Sequence, residues 1–317
     1  MIGLPKTKLK GAISKYSKEI ELYYSDLLIA AKAKRTEVKA FLSDEELVYF
    51  DEVISAFQSS NPITWTSEEI AGWISSIGPL PEHGSNNKML KLKDRILSIL
   101  DYEGMRSEFF PMFFLETGIK TCVYCNSQFA LTVDAFTAKG YSNPKQYIAK
   151  FELDHKHSKQ LYPFLALSVY NLYPSCKPCN NIKGVKEVDF DLYSGKIDSS
   201  DFNFYIDKVS KVEFLLSNRL DDLKIGLAIP ENGAYDSIFQ ISSIYQTQKD
   251  VAEELIMKAK IYNESYKAML GGALGGIFRE NGIYKRMILG NYADVSDIHK
   301  RPLAKFMQDI AKDIGLI

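Results

Sequence analysis

Ile13, Tyr16, Ile20, Tyr23, Leu27 and Ala31 follow one another at intervals of three and four, with polar residues between them. That spacing puts them on one helix face and predicts a long amphipathic helix over about 12–39. Ser43 followed three positions later by Glu46 has the form of a capping box. It predicts a second helix carrying Leu47, Phe50, Val53, Ile54 and Phe57. Thr66 and Glu69 repeat the device ahead of Ile70, Trp73 and Ile74, and Gly78 with Pro79 and Pro81 stops that third helix. The polar, turn-rich stretch 79–87 is the best boundary in the first half of the chain. Helical spacing resumes at Met89, Leu92, Ile96, Leu97 and Leu100. The aromatic run FFPMFF from 109 is dense and uncharged, which predicts core.

After Gly184 the pattern shortens. Runs at 202–206, 212–216, 225–229 and 237–241, separated by Asn, Asp and Gly, predict strands of a small sheet. From Gln248 the helical period returns through Val251, Leu255, Tyr262, Tyr266 and Met269, and it breaks at the glycine cluster 271–276. That cluster lacks the spacing of a phosphate loop and reads as a bend or a close helix contact. A last helix is expected over about 296–314. The fold class is therefore α+β and mostly helical. It divides into a helical N-terminal region 1–118, a central segment 119–190, and a C-terminal region 191–317 of short strands followed by helices.

At 317 residues and 46% hydrophobic content the chain can bury a large core. No stretch reads as a signal peptide or reaches the roughly 18 apolar residues of a membrane span, so a soluble, cytoplasmic protein without a membrane partner is expected. The formal net charge of -1 counts against a nonspecific nucleic-acid coat but not against a local site. Charge is segregated: residues 1–40 carry nine Lys or Arg, whereas 41–80 carry acids and neither. A solvated helix face is the simpler reading of the N-terminal lysines, and contact with phosphate or an acidic partner is the other.

All four cysteines lie in two CxxC pairs, Cys122/Cys125 and Cys176/Cys179. Each pair sets two thiolates on one tight turn, and two such turns can close a tetrahedron around Zn²⁺. Reducing conditions favour metal over disulfides. The alternatives are disulfides, an iron–sulfur cluster or free thiols. Four thiolates leave no open position, so this zinc would hold the fold and take no part in catalysis.

Residues 151–184, FELDHKHSKQLYPFLALSVYNLYPSCKPCNNIKG, concentrate the remaining chemistry. Asp154 offers a hard oxygen to a divalent cation, and His155 next to it can accept a proton near neutral pH. Neighbouring side chains on a strand face opposite ways, so the two can share a site only where a strand ends or bends. Glu152-Leu-Asp-His155, Asn171-Leu and Cys176-x-x-Cys179-Asn180-x-x-Lys183-Gly184 together resemble the HNH nuclease signature of the ββα-metal fold. The resemblance implies a central ββα-metal core stapled by the four-cysteine zinc, with His155 as general base and Asp154 and Asn180 as ligands of a catalytic Mg²⁺ or Mn²⁺. It further implies that Asn171 orients the base and braces the loop, and that Lys183 lies near the substrate phosphate. The implied reaction is in-line attack of water on a phosphodiester, leaving 5′-phosphate and 3′-hydroxyl ends.

The proline often found after the Asp-His pair is replaced by Lys156-His157-Ser158. His157 could add a ligand or touch substrate, but a histidine two residues from the base more simply stays exposed or supports the ligands from behind. More broadly, YPFLALSVYNLYPSC and YQTQKDVAEELIMKAKIYNESY are similar to HNH proteins encoded with ATPases in bacterial anti-phage defence of the Septu type. That similarity implies a nucleic-acid substrate, with DNA first and RNA such as tRNA as the alternative, and an ATPase partner. It also implies docking and substrate-positioning roles for the flanking helices. The rival reading is a zinc-stapled adaptor that binds nucleic acid or protein without cutting, in which Asp154–His155 is a turn pair and Asn180 a helix cap.

Overall fold

A computed structural model describes residues 3–38, 42–81, 89–135, 146–194, 202–229, 234–273 and 282–317. The chain is mostly helical with small antiparallel sheets. It forms two compact units, each assembled from separated segments: Lys6–Thr117 with Leu131–Glu187, and Met1–Pro5 with Gly118–Ala130 and Val188–Ile317. Among the described residues no helix is long and apolar enough to cross a membrane.

In the unit containing Lys6–Thr117, the first helical stripe begins earlier than its spacing suggested and is interrupted once, giving helices Lys6–Lys15 and Ser17–Val38. At the break, the Tyr16 ring packs edge-on against Phe109 at 5.9 Å, a contact with a residue far along the chain. Leu9, Ala12, Ile20, Leu27 and Ala31 are buried along the stripe. Both capping boxes form as the sequence predicts. The Ser43 and Thr66 side chains accept the N–H groups of Glu46 and Glu69 at 3.3 Å each, and both glutamates accept the cap N–H groups in return. Helix Ser67–Ile77 ends at Gly78, whose φ of 78° lies in the left-handed region that suits glycine. Most of the turn-rich stretch, 82–87, lies outside the described residues, and His83 with it.

After helix Met89–Ile99 comes a near-continuous helical run: Tyr102–Gly104, a π-helical turn Met105–Phe109, and Phe110–Thr117. Phe109, Phe110, Phe113 and Phe114 are buried, the core role expected of the aromatic run. Two hairpins follow. Strand β1 (Leu131–Ala135) pairs antiparallel with β2 (Gln146–Lys150), and β3 (Glu152–His155) pairs antiparallel with β4 (Leu172–Ser175). Helix Lys177–Lys183 comes directly after β4.

In the other unit, strands β5 (Asn203–Ile206) and β6 (Ile225–Ala228) confirm two of the four expected runs. The other two are helical. Residues 212–216 belong to helix Lys208–Ser217, because Asp207 caps it by accepting the Ser210 N–H at 2.8 Å and Asn218 ends it at φ 55°. Residues 237–241 span helices Tyr235–Phe239 and Ile241–Gln246, which join at Gln240 with φ 53°. In both places local caps outweigh an apolar run too short to show its period. The helical stretch after Gln248 is divided into Lys249–Ile261 and Glu264–Ala273, and 274–281 lie outside the described residues. The last helix is also two elements, a 3-10 stretch Val295–Lys300 and helix Ala304–Asp313.

Helix Ala304–Asp313 flanks β5, where Asp309 and Asp313 accept the Phe204 and Ile206 N–H groups at 3.1 Å each. Asp309 is also paired with the buried Lys305. Burial pushes the Asp309 carboxyl up and the Lys305 ammonium down, and each partner's charge opposes that shift. Removing one member leaves the other buried and uncompensated. Asp309→Ala should therefore cost about 3–5 kcal/mol in denaturant unfolding, whereas Arg219→Ala, which breaks an exposed pair, should leave stability nearly unchanged. Equal losses in the two variants would refute this ranking.

Candidate functional site

β3 ends at His155, so Asp154 and His155 sit where the strand gives way to an irregular segment. Asp154 lies opposite Tyr173, and His155 lies opposite Leu172. The connection 156–171 is held from within by Asn171. Its side-chain oxygen accepts the His157 N–H at 2.8 Å, and its amide donates to the carbonyls of His157 and Leu165 at 3.1 and 3.2 Å. Ser168 and Val169 anchor the far end of the connection by donating to the carbonyls of Pro62 and Ile63. β4 then leads into helix Lys177–Lys183 with Cys176 at its N-cap, and Gly184 closes that helix at φ 53°.

Asp154, His155 and Asn180 line one cleft of about 380 Å³, together with Tyr102, Arg106 and Lys159. The floor is buried: Asp154 is 5% and His155 6% exposed. His155 Nε2 lies 3.2 Å from the Ala166 carbonyl. A carbonyl only accepts, so this bond places the proton on Nε2 and leaves Nδ1 as the basic nitrogen. Burial, followed by the positive charge of Lys159, pushes the His155 pKa down to about 3, against a smaller opposing effect of the Ala166 bond. The imidazole is therefore neutral at physiological pH. The Tyr102 ring lies 5.6 Å from it, and the Lys159 ammonium sits 3.9 Å over that same tyrosine ring.

Lys183 is placed differently from the expectation that it meets substrate phosphate. It is 1% exposed, donates to the His155 carbonyl at 2.7 Å and lies 3.1 Å from Asp154 Oδ2. A cation this deep neutralises the neighbouring carboxylate and ties the helix to the end of β3. Asn171 braces the loop through backbone partners, none of them the His155 ring. His157 is partly buried, edge-on to Tyr162 and 3.9 Å from Glu187, and is not among the cleft-lining residues.

The four cysteines form a buried cluster whose sulfur atoms all lie within 4.8 Å of one another, and none is in a disulfide. A tetrahedron with Zn–S bonds of about 2.3 Å has edges of about 3.8 Å, so the cluster could hold a structural metal such as zinc. Around the first pair, Cys122 N–H donates to Gln128 and Asn126 N–H to Cys122, which makes the tight turn the spacing requires. The Tyr235 and Tyr245 hydroxyls fix that turn by donating to the carbonyls of Tyr124 and Cys125 at 2.6 and 2.7 Å. Around the second pair, the helix N-terminus carries Cys176 and Cys179 at either side of one turn.

Tyr102 and Arg106 come from the helical run before the first CxxC, some fifty residues ahead of His155, and no sequence pattern pointed to them. Lys159 stands inside the motif stretch, where its charge near the base was the available signal. Burial raises the Tyr102 hydroxyl to about 12 and pushes that of Tyr49 higher still. The folded pKa of each exceeds its unfolded value near 10, so the stability they protect is intact below about pH 10 and lost as pH climbs towards about 12. Alkaline titration followed by tyrosinate absorbance should show a class of tyrosines that ionises only as the chain unfolds. Smooth titration of all tyrosines near pH 10 in the folded protein would contradict their burial.

No family model, curated protein or solved structure matches the chain.

Proposed function

We propose that this protein is a metal-dependent endonuclease of the HNH type that hydrolyses phosphodiester bonds of nucleic acid. The observation that carries this reading is the convergence of Asp154, His155 and Asn180 on one cleft, built by an antiparallel strand pair followed by a helix. His155, with Nε2 on the Ala166 carbonyl, keeps Nδ1 as its acceptor nitrogen; its pKa of about 3 in the free cleft weakens it as a base near neutral pH, and the negative charge of a bound phosphodiester would raise it. Asp154 and the Asn180 amide oxygen supply the kinds of hard oxygen that Mg²⁺ or Mn²⁺ prefers. When bound, the cation would stabilise charge on the phosphate and on the leaving oxygen. The four-cysteine cluster would carry zinc and hold the helix that bears Asn180.

DNA is the first substrate and RNA the alternative. The near-neutral chain has little standing affinity for either, which suits an effector licensed by an ATPase partner in anti-phage defence. One observation favours the adaptor reading: Lys183 already balances the charge of Asp154, the ligand a catalytic cation would need. Nicking of plasmid DNA and of total RNA with Mg²⁺ or Mn²⁺ separates the two, using wild type and His155→Ala, alone and with the products of neighbouring genes. Cleavage by wild type only supports the nuclease. Equal cleavage by both, or none with any neighbour present, removes it.

A further inference from the structure

Two cations stand at the cleft, Arg106 and Lys159, and the motif assigns a role to neither. Arg106 projects from the π-helical turn Met105–Phe109, a local departure from α-geometry of a kind common where a side chain must be aimed. Its guanidinium is held by Glu152, with Nη2 2.9 Å from Oε2, in a pair whose side chains are 42% and 32% exposed. Lys159 comes from the connection after β3. Its ammonium rests 3.9 Å over the Tyr102 ring, so the charge is held at the wall while the stem is partly buried. Burial disfavours the Lys159 charge most, the charges of Arg106 and Lys93 disfavour it further, and those of Glu103 and Glu152 oppose them. Arg106 and Lys159 both line the cleft whose floor is Asp154 and His155, which gives that cleft two cationic donors suited to an anion. The deep lysine of the motif, Lys183, is already committed to Asp154 and the His155 carbonyl and leaves that role open.

Resting on the nuclease reading for the identity of the anion, we propose that Arg106 and Lys159 form the phosphate clamp of this cleft. In the free protein Glu152 is its internal competitor, holding Arg106 until a substrate phosphodiester displaces it. A carboxylate and a phosphate present the same pair of acceptors to a guanidinium fork, so exchanging one for the other needs only a side-chain movement. Glu152 precedes Asp154 by two residues on β3, on the same face of the strand, and so stands beside the reacting centre.

The test uses the full chain, a short fluorescent DNA duplex and a matching RNA, titrated at several salt concentrations with no divalent metal added. Arg106→Gln and Lys159→Met, the latter keeping an apolar stem over Tyr102, should each weaken binding on the order of tenfold. Each should also reduce the slope of log affinity against log salt by about 0.9. Glu152→Gln should tighten binding severalfold, and that gain should vanish in the Arg106→Gln/Glu152→Gln double variant, a coupling that a purely structural ion pair does not produce. Arg106 is exposed, so its arm of the experiment stands even where Lys159→Met folds poorly.

Unchanged affinity and slope in Arg106→Gln, or no binding of either nucleic acid by wild type, overturns the clamp. The same proteins assayed for cleavage keep the two readings apart. Weakened binding with no cleavage by any protein, the products of neighbouring genes being present, retains the clamp and removes the nuclease. Cleavage by wild type with KM unchanged in Arg106→Gln removes the clamp and leaves the nuclease.

Discussion

His155→Ala should lower the Mg²⁺-supported cleavage rate by about 10²–10⁴-fold, the usual contribution of a positioned general base, and should leave nucleic-acid affinity nearly unchanged. The expectation follows from its place at the cleft floor, 6% exposed, with Nε2 on the Ala166 carbonyl, while the cations suited to phosphate belong to other residues. Deleting a buried ring also leaves a cavity, so His155→Gln serves as a fuller replacement that lacks the basic nitrogen. Both variants should lose activity alike even if their melting temperatures differ. A His155→Gln protein that cuts at the wild-type rate would place the base elsewhere. Asp154→Ala is a poorer probe, because it strands the buried Lys183 and should cost about 3–5 kcal/mol of stability in its own right. Asp154→Asn is the better choice: it keeps the shape and an oxygen for Lys183, and it should raise the metal concentration needed for half-maximal rate.

Cys176→Ser should sharply lower the yield of folded protein and abolish the binding of about one Zn²⁺ per chain that metal analysis of wild type should find. The four sulfurs lie together and buried, and thiolates clustered without a cation would repel one another in a low dielectric. Cys179 and Asn180 are adjacent on helix Lys177–Lys183, so a change at a metal held by Cys179 would reach the cleft through a single peptide bond. Chelation that strips zinc should therefore abolish cleavage even after Mg²⁺ is restored, with activity returning on addition of Zn²⁺. A stable, metal-free Cys176→Ser protein would refute the stapling role. Full activity in a demonstrably zinc-free chain would refute the coupling.

Signals that act within a few residues were legible in the sequence. Ser43/Glu46 and Thr66/Glu69 form the capping boxes their spacing predicts, since both donors and both acceptors lie inside one helical turn. Each CxxC pair lies on a local turn, Cys122/Cys125 closed by the Asn126 N–H to Cys122 bond and Cys176/Cys179 at a helix N-terminus, because a spacing of three needs only local backbone. The aromatic run 109–114 goes to the core for the reason its composition suggests. Less legible were short apolar runs whose period is undersampled. Residues 212–216 and 237–241 look like strands, yet Asp207, Asn218 and Gln240 set caps and joints that make them helices. Tyr16 likewise interrupts a stripe that otherwise reads as unbroken, at a contact with Phe109 that no local window contains.

By itself the sequence determined a mostly helical α+β chain, two cysteine-bearing turns, and an Asp-His pair poised at the end of a strand, because these rest on local periodicity, spacing and side-chain chemistry. Only the tertiary structure decided what surrounds that pair. It brought Tyr102 and Arg106 from the preceding helical run to the cleft, set Lys159 over an aromatic ring, and turned Lys183 inward onto Asp154. The physical reason is that burial and charge pairing depend on which distant segments meet. A lysine's role as phosphate contact or buried counter-ion is settled by its neighbours in space, whatever motif it belongs to.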